Sequence, residues 1–213
     1  MPRRVTATLV LVAINVVFFV WETFTGGATD PRSLVAHGAL YGPLVDRGQW
    51  WRIFTAAFLH GGLLHIAFNM FALYQVGTFL EMLVGAPAML AIYFVSMIGS
   101  GLSVYRFGYQ DVTVGASGAI FGIFGALVAI GLSLGERGRA IVWQTVPIIG
   151  INLVIGFSMP NISNAGHIGG LISGFVAGFG YLALRRALAG EPPVPAVVAA
   201  EPLPEEAAGP GGA

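Results

Sequence analysis

Two polar side chains stand just inside the starts of long apolar segments: Ser117 in Gly115-Ala116-Ser117-Gly118, and His167 in Asn164-Ala165-Gly166-His167. A hydroxyl or an imidazole in hydrocarbon costs free energy unless it is paired, so such a residue is a candidate for function. Serine and histidine at one depth are also the minimum parts of an activated hydroxyl nucleophile. His65 and Asn69 are spaced i, i+4 and share a helix face. Both donate hydrogen bonds from neutral side chains, as stabilisation of a developing oxyanion requires. The same pair could instead bond a loop to its helix. His60, five residues before His65 and off its face, reads as a structural loop residue.

The remaining polar residues narrow the chemistry. Glu81 lies sixteen residues beyond His65, about 24 Å along one helix, and Asp111 in the loop before Ser117 is not required by any spacing. A dyad without a carboxylate is therefore expected, with His167 held by packing. Phe121, one turn beyond Ser117, puts an aromatic wall within reach of the imidazole. There is no H-E-x-x-H, no pair of membrane aspartates and no G-x-S-x-G elbow. His60 and His65 lack the spacing and carboxylate of catalytic zinc. With no cysteine, disulfides and thiolate chemistry are excluded.

Elements that could position these residues follow from composition. The 213 residues are 56% hydrophobic and 9% charged, with net charge +0, and the mean hydropathy is +0.80. That is the composition of an all-α polytopic membrane protein, and no basic run suggests nucleic acid. About 20 apolar residues cross a bilayer as helix. Spans are predicted near Val5–Phe24, Leu63–Val84, Pro87–Tyr105, Gly115–Leu134, Ala140–Ser158 and Gly166–Leu184. The first resembles a signal peptide but lacks a clear cleavage site before Trp21-Glu22, so a retained span is expected. Between the first two spans a long loop carries Trp50, Trp51, Phe54 and Phe58, an interfacial pattern. From Gly190 the chain is rich in Pro, Ala, Glu and Gly, as in a disordered tail, so residues 1–189 are expected to form one membrane domain and 190–213 the tail.

Six spans put both termini on one side, with Arg3, Arg4, Arg137, Arg139, Arg185 and Arg186; the other side holds Arg32, Arg47, Arg52 and Arg106. The excess favours cytoplasmic termini. The second, fourth and sixth spans then all run inward, and His65, Asn69, Ser117 and His167 fall into one layer near the outer face. Glycines allow close approach: Gly166, Gly170, Gly174 and Gly178 recur every fourth residue, and Gly118 and Gly122 repeat that spacing with Gly125 close behind. Such ridges let membrane helices pack backbone to backbone.

The motifs Trp50-Trp51-Arg52 with Phe54-Thr55, then His60, His65-Ile66-Ala67-Phe68-Asn69, Gly115-Ala116-Ser117-Gly118 and Asn164-Ala165-Gly166-His167 closely resemble the rhomboid intramembrane serine proteases, in order, over residues 38–184. The resemblance implies a six-helix bundle with an active site open to the outer face of a plasma (inner) membrane. It implies Ser117 as nucleophile, His167 as general base, and an oxyanion hole from His65, Asn69 and the Ser117 backbone N–H. Trp51 and Arg52 fall in the interfacial loop, Glu81 and the Gly170/Gly174 pair match positions of structural use, and Gly115 and Asn164, within the matching motifs, are expected to support the site. Phe121 stands where tyrosine is common. Expected substrates are single-span membrane proteins cut in or beside the span; no metal or organic cofactor and no nucleic acid is implied. Two alternatives are a catalytically inactive rhomboid-like client-binding protein, which loss of Ser117 or His167 would have favoured, and a small transporter. A transporter usually shows internal repeats and interrupted spans, and neither is evident.

Overall fold

A computed structural model of the chain describes residues 6–159 and 162–189. The described residues are helical throughout, apart from loops and one isolated antiparallel bridge, Leu40 to Thr113. The first long helix, α1 (Ala7–Phe24), leads into a loop containing three short helices, α2 (Pro31–His37), α3 (Gly42–Asp46) and α4 (Arg52–Thr55). Next comes an apolar rod, α5 (Leu63–Ala72), continued through a π-helical turn at Leu73–Gly77 into α6 (Thr78–Val84). Then follow α7 (Ala86–Phe107), α8 (Ser117–Ser133), α9 (Arg139–Ser158) and α10 (Asn164–Ala189).

Five of these rods are long and apolar enough to cross a membrane; α8, with 17 residues, is shorter. At 1.5 Å per residue it spans roughly 25 Å against about 30 Å of hydrocarbon. The fourth span predicted from Gly115 therefore begins two residues later. Gly115 has φ +118°, a left-handed conformation that glycine adopts freely and that holds the chain out of the helix. The last span begins earlier than predicted, at Asn164, and runs on through Arg185 and Arg186 to Ala189. The proposed tail, Arg3 and Arg4 lie outside the described residues.

The bundle is centred on α8, which is buried at almost every position from Gly118 to Gly131. Its glycine ridge meets that of α10. A Cβ added at Gly170 would strike the Gly118 carbonyl, and one at Gly174 the Gly122 carbonyl. Gly125 in turn lies against the Leu171 carbonyl and the Phe175 backbone nitrogen. The third partner is α7, whose Ser96 and Ser100 fill the space beside Gly122 and Gly118, while Gly99 faces Ser173 and Gly169 faces Ser103. Small residues thus bring three backbones together without apolar bulk between them.

Polar clamps join the periphery to this centre. The buried Glu81 carboxylate receives the backbone N–H groups of Thr6, Ala7 and Thr8 at 2.9, 3.0 and 2.8 Å, and the Thr8 hydroxyl at 2.7 Å. It occupies the positive end of α1, where free N–H groups need an acceptor. Arg52, also buried, donates from Nη1 to the carbonyls of Val35 and Ala39, both at 2.8 Å, and from Nε to Gln49 Oε1 at 2.8 Å. It pins the loop from within, whereas Trp50 and Trp51 point outward. Tyr105 and Tyr109 donate to the two oxygens of Asp46, tying α3 to the end of α7. The Tyr105 hydroxyl, followed by that of Tyr109, holds the Asp46 carboxyl below its usual range, and the reciprocal bond pushes Tyr109 up to about 12.

Candidate active site

Ser117 is the first residue of α8, and His167 lies in the first turn of α10. Because the glycine ridges remove the usual side-chain spacers, the Ser117 Oγ stands 2.9 Å from His167 Nε2 across fifty residues of chain. Phe121 stacks on the imidazole, with ring centroids 4.1 Å apart and planes 9° from parallel. The other ring nitrogen, Nδ1, is buried and has no hydrogen-bond partner. With the hydroxyl donating to Nε2, the ring proton sits on Nδ1, and Phe121 rather than a carboxylate holds the ring.

Among the described residues no acid completes a triad. Glu81 is consumed at the start of α1, and Asp111 is exposed, its N–H bonded to the Gly108 carbonyl at 2.9 Å. No group of three or more metal-ligating side chains occurs among the described residues either.

Gly115 closes the site on the loop side. Its N–H donates to the Ala56 carbonyl at 2.9 Å. A Cβ there would be 2.8 Å from both Cε1 and Nε2 of His65, so the His65 ring lies directly on the glycine. The Nδ1 of His65 accepts the Gly61 N–H at 3.2 Å. Asn69 is buried one turn along; its Nδ2 donates to the His65 carbonyl at 2.9 Å, and its Oδ1 has no partner. His60 is wholly buried, with both ring nitrogens unpartnered, and its ring meets that of His65 at 5.2 Å between centroids. Burial, with the neighbouring His65 adding to it, pushes His60 down to about 3, so its ring is neutral at physiological pH.

The expected residues thus divide into two groups. Ser117, His167, Phe121, Gly115, His65 and Asn69 gather within one layer. Asn164 sits at the head of α10 with its side chain against Gly156 of α9, while Trp51, Arg52 and Glu81 lie in the frame. Sequence reasoning did not single out Glu22, a fully buried carboxylate at the end of α1 that accepts the His60 N–H at 3.1 Å. An acid one turn inside an apolar span was the available signal.

Comparison with known proteins shows the family. The family described as Rhomboid domain matches residues 47–184. The chain is 42% identical over 173 residues to rhomboid protease GluP of Bacillus subtilis (strain 168), covering 81% of this chain and 34% of that protein. It is 37% identical over 147 residues to RHOMBOID-like protein 5 of Arabidopsis thaliana, covering 67% of this chain and 47% of the other. To rhomboid protease AarA of Providencia stuartii it is 28% identical over 212 residues, covering 86% of this chain and 75% of the other. The chain spans between a third and a half of the first two of these relatives. With the family match covering well over half of its length, this all-α, multi-pass membrane protein belongs to the rhomboid family.

Proposed function

We propose that the protein is an intramembrane serine endopeptidase that cleaves single-span membrane proteins in or beside the span. The observation that carries this reading is the 2.9 Å approach of Ser117 Oγ to His167 Nε2 inside an apolar bundle. Two relatives bear the name rhomboid protease.

In this reading the Ser117 oxygen attacks the scissile carbonyl carbon while its proton passes to His167 Nε2. The carbonyl oxygen becomes an oxyanion, which takes hydrogen bonds from the Ser117 backbone N–H, His65 Nε2–H and the second N–H of Asn69. Collapse breaks the C–N bond, and His167 returns the proton to the leaving amine. A water, deprotonated by the same nitrogen, then hydrolyses the acyl-enzyme and regenerates the serine. Without a carboxylate on Nδ1, the imidazolium formed in each step is supported by the stacked Phe121 face, a cation–π contact. Since a helical substrate hides its peptide bonds, segments with helix-weakening residues near the cut should be preferred. The active layer would open to the outer face of a plasma (inner) membrane, with both termini cytoplasmic.

The test is covalent labelling with a fluorophosphonate probe in lipid nanodiscs, followed by mapping of the modified peptide. Label on Ser117 that is lost in Ser117→Ala and His167→Ala is expected, together with loss of cleavage of a single-span substrate. Label elsewhere, or cleavage persisting in Ser117→Ala, would overturn the mechanism. Cleavage absent from the parent chain despite labelling would favour a client-binding role.

A further inference from the structure

The His60-Gly61-Gly62 turn joins the far end of α1 to the oxyanion side of the site. Glu22 has no exposed surface, and its carboxylate oxygens lie 3.1 and 3.4 Å from the His60 backbone nitrogen. No cation pairs with it among the described residues, where the sole ion pair is Arg139 with Glu136. A carboxyl group withdrawn from water costs free energy unless its oxygens are bonded, and the His60 N–H of this turn is the donor that the Glu22 oxygens meet. The turn is tight: Gly62, with φ +118°, donates its N–H to the His60 carbonyl at 2.9 Å. Between the two, the Gly61 N–H donates to His65 Nδ1 at 3.2 Å.

That last bond decides a proton. A neutral imidazole has one protonated and one bare nitrogen, and a nitrogen that accepts from a backbone N–H must be the bare one. His65 therefore carries its proton on Nε2. This is also the atom that lies against Gly115; a Cβ on that glycine would be 2.8 Å from Nε2 and 3.9 Å from Ser117 Oγ. In the opposite tautomer Nδ1–H would face the Gly61 N–H, donor against donor, and Nε2 would turn a lone pair toward the reacting oxygen. His60 adds only shape here, its ring edge-on to His65 with no hydrogen bond from either nitrogen.

We infer that Glu22 is a positioning residue: by fixing the His60-Gly61-Gly62 turn it keeps the Gly61 N–H on His65 Nδ1, and so presents Nε2–H to the oxyanion. The inference rests on the reading of His65 as an oxyanion donor given above. Its energetic scale is that of one donor in such a hole, whose loss costs about 100- to 1,000-fold in kcat.

The test uses the full chain, labelled with 15N-histidine, in nanodiscs. Four histidines give few signals, and removing each in turn assigns them. In the parent chain His65 should show a bare Nδ1 and a protonated Nε2. Glu22→Leu should give a tautomer mixture and lower kcat at least about tenfold, with KM changed by less than about twofold. Glu22→Gln keeps an oxygen acceptor and should restore the tautomer and most of the rate. Gly61→Pro removes the N–H without touching Glu22 and should reproduce the Glu22→Leu tautomer shift, even if Glu22→Leu does not fold.

Protonated Nδ1 in the parent chain overturns the proposal. So does an unaltered tautomer in folded Glu22→Leu or in Gly61→Pro, or a failure of Glu22→Gln to restore what Glu22→Leu loses. A shifted tautomer with full cleavage activity would instead remove His65 from the oxyanion hole, leaving the link from Glu22 to the ring in place.

Discussion

At the scale of single residues, the site works by subtraction. His167 has the Ser117 hydroxyl on one nitrogen and nothing on the other, so in the proposed mechanism the stacked Phe121 takes the orienting part that a carboxylate takes in a triad. Phe121→Ala should therefore lower kcat by about tenfold or more, since a misplaced base loses near-attack geometry. Phe121→Tyr keeps the ring and should retain most of the rate; equal rates for Ala and Phe at this position would show that the stack is idle. Asn69→Ala removes a proposed oxyanion donor and should lower turnover by on the order of tenfold or more with the fold intact. An unaltered kcat would leave Asn69 only its bond to the His65 carbonyl. His60 gives a different readout. Its folded pKa of about 3 lies below the ordinary 6.5, so the unfolded chain binds a proton that the folded chain refuses across that interval. Stability from this group is then complete above about pH 6.5 and falls as pH drops toward 3. Thermal unfolding in detergent at stepped pH should show that slope, and His60→Asn should flatten it.

At the scale of elements, the contact between α8 and α10 sets what the residues can do. Gly174 leaves no room for a methyl against the Gly122 carbonyl, whereas a Cβ at Gly180 meets nothing within 4 Å. Gly174→Ala should cost about 1–3 kcal/mol through overpacking and lower activity by separating Ser117 from His167. Gly180→Ala, on the same helix, should be neutral or stabilising by up to about 1 kcal/mol. Thermal melts of the two variants, with cleavage assayed below both transitions, separate packing from simple glycine loss. These ridges were legible in the sequence because a four-residue glycine period has a single geometric meaning in a membrane helix. So was the shared depth of Ser117, His167 and His65, which follows from counting residues along the spans. Other features were hidden for physical reasons. The start of α8 depends on the positive φ of Gly115, and a glycine does not announce its conformation. Ser96 and Ser100 of α7, four apart, repeat the small-residue spacing and complete the close packing, but as serines they did not stand out beside the two glycine ridges. The π turn at Leu73–Gly77 and the bonds of Arg52 to Val35 and Ala39 depend on tertiary neighbours that local pattern does not encode. Glu22 was hidden by its company, reading as the polar end of an apolar span.

At the scale of the whole molecule, the remaining question is which face of the membrane the active layer meets. Helix order places the Ser117 and His167 ends of α8 and α10 beside the loop that holds α2, α3 and α4, opposite the turn between α8 and α9. The structure also refines the charge argument. Of the four arginines on the loop side, Arg52 is buried and bonded to carbonyls, leaving Arg32, Arg47 and Arg106 exposed. The other face carries Arg137, Arg139, Arg185 and Arg186, all exposed and all close to helix ends, where positive charge governs insertion. That face should therefore be cytoplasmic and the loop side external. Because the chain has no cysteine, orientation can be read directly from single-cysteine variants that leave every arginine in place. Ala36→Cys, exposed on α2, should react with a membrane-impermeant maleimide in intact bacterial cells expressing the chain. Glu136→Cys, exposed in the turn before α9, should react only after the cells are permeabilised. The reverse pattern would place the Ser117–His167 layer against the cytoplasm and direct the search for substrates to proteins whose spans are exposed from that side.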